Sequence, residues 1–78
     1  MREGLLWYDD EPRRDLTEKI KRAARRYQKK FGASPEVCYV HPSTMDGNGK
    51  GQKVGKLRVS SDPSVLRHHF WLGRKEEQ

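Results

Sequence analysis

The sequence predicts a small α+β domain: one amphipathic helix packed on a three- or four-stranded mixed sheet, in the order β-α-β-β(-β). Three observations predict it. Leu16, Ile20, Ala23, Ala24, Tyr27 and Phe31 recur at helical spacing within residues 15–31. At about 100° per residue they fill an arc of roughly 100°, the width of a core-facing stripe. Residues 5–8 and 36–41 are short apolar runs closed by acids or proline, as buried strands are. Residues 54–60 alternate, with Leu57 and Val59 inward and Lys56, Arg58 and Ser60 outward, as a half-exposed strand does.

The chain has 78 residues, 32% hydrophobic and 36% charged, so it is read as a single domain over 1–78 with a small core. A domain of this size buries only about 60% of its unfolded surface. The seven aromatic residues are therefore expected to carry much of the packing.

The first strand, Leu5-Leu6-Trp7-Tyr8, ends at Asp9-Asp10-Glu11, and Pro12 prevents its continuation. Clustered acids at a strand end can hold a hard cation, but such a site needs further oxygen ligands. The remaining chain supplies few, so these acids are read as a solvated loop near a helix N-terminus, favoured by its dipole. The helix starts at Asp15, with Glu18 three residues on in capping-box spacing. It stops at Gly32, which can take the left-handed position, with Pro35 shortly after.

In the second strand Val37, Tyr39 and His41 share one face, Cys38 and Val40 the other. Both faces are largely apolar, which predicts a central position. If it pairs with residues 5–8, the two strands are parallel and joined by a right-handed crossover. Residues 43–53, rich in glycine and lysine, read as a loop. Asp46-Gly47-Asn48-Gly49 partly matches a calcium loop, but Gly55 stands where a bidentate Glu is required. A P-loop is absent because Gly51 follows Lys50. Residues 54–60 are expected to form an antiparallel hairpin with 36–41. Asp62 or Ser64 is placed to cap a short helical turn over 63–67. Phe70-Trp71-Leu72 reads as a short fourth strand or a segment packed over the sheet, and 74–78 as a frayed tail.

The charge is concentrated on the helix. Lys19, Lys21, Arg22, Arg25, Arg26, Lys29 and Lys30 oppose only Asp15 and Glu18, giving +5 of the chain's +6. Lys29 and Lys30 lie in the last turn, where the dipole favours cations. Lys21-Arg25-Lys29 and Arg22-Arg26-Lys30 form two i, i+4 rows. A sequence pI near 9.8 fits an anionic partner. The lone Cys38 excludes an internal disulfide and fits a reducing cytoplasm. No apolar run is long enough for a membrane span.

Three functions fit, in descending order. The first is a small cytoplasmic, non-enzymatic module binding the DNA or RNA phosphate backbone. It would use Lys21, Arg22, Arg25, Arg26 and Lys29 of the helix with Lys50 and Lys53 of the loop. The second is a protein-interaction or accessory subunit, or a homodimer, joined through the aromatic C-terminal segment and an open sheet face. The third is a small metal-independent ribonuclease with His68 or His69 as acid/base, Arg58 or Arg67 on the phosphate, and the basic helix as cradle. No catalytic set is assigned. Zinc is not expected, because Cys38 and His41 diverge on a strand, as do His68 and His69 if extended. Cys38 between Val37 and Tyr39 reads as core rather than nucleophile, and no cofactor is implied.

Overall fold

The computed structural model describes residues 4–45 and 52–74. The elements are β1 (Gly4–Tyr8), α1 (Leu16–Phe31), β2 (Val37–Val40), a 3-10 turn (Pro42–Met45), β3 (Gln52–Val54), β4 (Leu57–Ser61) and β5 (His69–Gly73). One helix on a mixed sheet is the predicted α+β class. The sheet has five strands, ordered β1-β5-β2-β4-β3.

The helix forms as its sequence dictates. Asp15 is extended (φ −77°, ψ 171°), and its carboxylate accepts the Glu18 N–H at 2.8 Å. Gly32 takes φ 74° and ψ 12° and donates to the Gln28 carbonyl at 2.8 Å, the left-handed stop that glycine permits. Ile20, Ala23 and Tyr27 are buried, with Leu16, Ala24 and Phe31 packed at the margin. These are the six residues of the predicted stripe.

The topology departs from expectation in three ways. First, β1 and β2 do not pair. β5 lies between them, antiparallel to both, with Leu6 opposite Trp71 and Trp71 opposite Tyr39. The C-terminal apolar segment is thus a strand, the first of its two expected alternatives, and it is central in the sheet. Phe70 and Leu72 are its inward residues, 1% and 0% exposed.

Second, β2 and β4 pair in parallel, Cys38 opposite Val59, and not as a hairpin. The hairpin is β3–β4, with Val54 opposite Leu57 across Gly55-Lys56. Gly55 has φ 63°, which a two-residue turn with glycine first requires. That turn splits the predicted 54–60 strand and accounts for the extra strand. Gln52 and Lys53 consequently leave the predicted loop for β3. Residues 46–51, which carry the calcium-like and glycine-lysine patterns, lie outside the described residues, as do 75–78 of the predicted tail.

Third, residues 63–67 form no helix, only a single hydrogen-bonded turn that Asp62 closes, as its predicted capping role implies. The Asp62 carboxylate accepts from the Ser64 N–H and hydroxyl at 2.9 and 2.8 Å, and the Asp62 carbonyl accepts the Val65 N–H. This is a side-chain-closed turn that competes with helix.

The core lies between α1 and one sheet face: Ile20, Ala23, Tyr27, Cys38, Val40, Leu57, Val59, Phe70 and Leu72. On the other face two glycines matter for space rather than for φ. A Cβ on Gly4 or Gly73 would fall 2.3 Å from indole carbons of Trp71. The Trp71 ring therefore packs against the backbone of two adjacent strands. Gly73→Ala is expected to cost about 1–3 kcal/mol by displacing the indole. In a Trp71→Ala background the same change is expected to be neutral or stabilising, so urea unfolding of the four chains gives a non-zero coupling.

Candidate nucleic-acid interface

The β1–α1 connection sets the start of the basic helix. Asp9 is 8% exposed. Its Oδ1 accepts the Glu11 N–H and its Oδ2 the Arg14 Nε–H, both at 3.0 Å. Tyr8 donates its hydroxyl to Asp10 at 2.8 Å, and Glu11 accepts the Arg13 N–H at 3.2 Å. Each acid of the run thus closes the loop locally. Among the described residues no three of His, Cys, Asp and Glu gather as metal ligands do.

Lys21, Arg22, Arg25, Arg26 and Lys29 are exposed on the helix surface turned from the sheet. Among the described residues none of the five has an ion-pair or side-chain hydrogen-bond partner. The neighbouring cations are engaged. The Lys19 charge acts on Asp9, and Lys30 Nζ lies 5.4 Å from the Phe31 ring centroid.

By helical phase, Arg25 and Lys29 form the crest, Arg22 and Arg26 lean to one flank and Lys21 to the other. Two open grooves run along these flanks. One, of about 480 Å³, is bounded by Trp7, Arg22, Arg25, Arg26, Gln28 and Lys29. The second, of about 450 Å³, has Lys21, Arg25 and Lys56 above Ile20, Val54 and Leu57. The Trp7 indole N–H is buried without a hydrogen-bond partner among the described residues.

The predicted loop cations do not join this surface. Lys53 stands opposite Arg58, on the sheet face away from α1. Lys50 lies outside the described residues. Trp7 and Lys56, which border the grooves, are absent from the sequence-based site. Their signals were the alternation of residues 5–8 and the Gly55-Lys56 turn, both legible only once the strand register is known.

Of the groups suggested for ribonuclease chemistry, Arg58 and the basic helix lie apart from the histidines, while Arg67 is beside them. His69 pairs with Tyr8 on the sheet face away from the helix, so α1 is not its phosphate cradle. Arg58 is level with Gly73, four residues and two strands from His69: roughly 13 Å along and 10 Å across. His69 Nδ1 donates to the Arg67 carbonyl at 2.8 Å. His68 sits in the loop with φ 64°.

Cys38 is fully buried, and burial pushes its thiol up to about 12. It is protonated and inert at neutral pH, not a nucleophile. No helix among the described residues is long and apolar enough to cross a membrane.

Two predictions follow from these buried groups. For Asp9, burial alone would raise the pKa, but the Glu11 N–H, the Arg14 hydrogen bond and charge and the Lys19 charge outweigh it and hold it below the ordinary value. The stabilisation is present above the unfolded pKa of about 3.9 and is lost as pH falls through the lower native value. Asp9→Asn should therefore lose roughly 1–3 kcal/mol at pH 7, with the deficit shrinking below about pH 4 in urea titrations. For Cys38 the sign reverses. Its contribution is intact below the unfolded pKa of about 8.5 and declines as pH rises toward the native value. Iodoacetamide at pH 8 should label Cys38 only when denaturant is present.

No family model matches this chain, and no curated protein and no solved structure matches it significantly.

Proposed function

We propose that this chain is a non-enzymatic binding module that contacts the phosphate backbone of nucleic acid through the outer surface of α1. The observation that carries the reading is the set of five exposed cations in two i, i+4 rows, without an acidic partner among the described residues. Like charges at i, i+4 each destabilise a helix by a few tenths of a kcal/mol. Glu18, three and four residues before Lys21 and Arg22, offsets that cost only at the start of the rows. A polyanion relieves it on binding and releases its own counterions.

The flanking grooves support the same reading. They let cations on the crest and on both slopes approach one backbone at different heights. Trp7 and Gln28 add an apolar wall and a neutral hydrogen-bonding group to the larger groove. Since the side chains converge on no base-reading motif, contact is chiefly with the backbone and carries little sequence preference. The lone reduced cysteine fits a cytoplasmic setting for such a partner.

The test is a salt titration of binding to mixed-sequence DNA and RNA duplexes. Arg25→Ala should weaken binding to all sequences alike and reduce the slope of log K against log salt by about 1. Arg22→Glu, Arg25→Glu and Arg26→Glu together should abolish binding. An unchanged affinity in that triple variant refutes the proposal.

A further inference from the structure

The sheet face opposite α1 has its own chemistry. Strand register places Tyr8 of β1, His69 and Trp71 of β5, and Tyr39 of β2 on it, across three adjacent strands. Tyr8 keeps 55% of its surface exposed and its neighbour Leu6 59%. The ring centroids of Tyr8 and His69 are 5.0 Å apart, and those of Tyr39 and Trp71 5.9 Å with planes 33° apart.

Trp71 is the key to the arrangement. Gly4 and Gly73 have no Cβ, and the space this leaves lets the indole pack against their backbones. Trp71 and Tyr39 are both half-buried, each leaving part of its surface open on this face. His69 and Trp71 lie two residues apart, about 6.8 Å along the strand, close to the reach of one extended nucleotide.

The surrounding charges are complementary to an anion. Lys53 and Arg58 stand side by side beyond Tyr39, and exposed Arg67 lies next to His69 at the far end. The acids at the rim are engaged: Asp10 takes the Tyr8 hydroxyl, and Glu36 lies 3.9 Å from Arg74. A second copy of this chain would bring cations against cations. Flat rings with cations at both ends suit a partner with flat π-faces and a negative backbone.

We propose that this face is a stacking platform for single-stranded nucleic acid, with bases on Tyr8, Trp71 and Tyr39 and phosphates near Lys53 and Arg58. Base–aromatic stacking needs no sequence match, because every base has a π-face. The platform does not rest on phosphate binding by α1, which lies on the other side of the sheet.

The experiment measures anisotropy of labelled 12-nucleotide oligothymidylate and oligouridylate, with a 12-base-pair duplex for comparison. Tyr8→Ser with Tyr39→Ser leaves Trp71 and its glycine seat in place. It should weaken single-strand binding at least about 10-fold while duplex binding stays within twofold. A second readout uses the unmodified protein. On adding oligothymidylate, the Trp71 indole resonance should shift in ¹H–¹⁵N spectra while that of Trp7 stays. Single-strand binding without a Trp71 shift, absence of single-strand binding, or equal affinity in the double variant overturns the proposal. So does a dimer, seen by light scattering, that the double variant dissolves, because it assigns the face to a second copy. Failure of the helix reading registers separately, as unchanged duplex affinity in the triple glutamate variant.

Discussion

One helix cannot cover five strands. At about 4.8 Å between neighbours the outer strands lie roughly 19 Å apart, while a helix is about 10 Å wide. α1 packs against β5, β1 and β3 across one face, and the fully buried residues gather beneath it: Phe70, Leu72, Cys38, Val40 and Val59. Leu5, Trp7 and Val54 stay partly buried toward the edges. The two grooves beside the helix and the opposite face, which no described element covers, are the same shortfall seen from different sides. In a chain with 32% hydrophobic residues, leaving these surfaces unfilled is what the composition permits.

Electrostatics follows a parallel division. The acids are consumed locally by turns and caps: Asp9 by Glu11 and Arg14, Asp10 by Tyr8, Asp15 by the Glu18 N–H, and Asp62 by Ser64. They fix the loops that orient α1 and β5. The cations mostly remain on surfaces where nothing among the described residues neutralises them. A positive field therefore surrounds the molecule, strongest over the outer side of α1, and draws anions toward it before any specific contact forms.

The helix was legible residue by residue, because its stripe, its Asp15 cap and its Gly32 stop are all local signals. The α+β class followed from setting that period beside the short strands. Strand partners were not legible. Phe70-Trp71-Leu72 reads as an apolar strand, but no local feature says that it enters between β1 and β2. That choice is made by long-range packing of Phe70 and Leu72 under the helix. Gly55 was readable as a turn residue, yet the alternation around it masked the break. The cationic helix surface was visible in the sequence. Its two grooves and the aromatic row on the other face were not, because Trp7, Tyr8, Tyr39 and Trp71 acquire a side only through register. Gly4 and Gly73 give no sign in sequence that they are needed to make room for an indole.

The central place of β5 shapes what happens as the chain is made. β1, α1, β2, β3 and β4 all leave the ribosome before it, yet β1 and β2 both find their partner in it. Until residues 69–73 emerge, two strand edges stand open and the helix has no Phe70 or Leu72 beneath it. The sheet cannot assemble progressively from its N-terminal end. A nascent chain stalled upstream of His69 would present unpaired edges and uncovered apolar side chains to chaperones and proteases. Completion of this sheet thus waits on translation of β5.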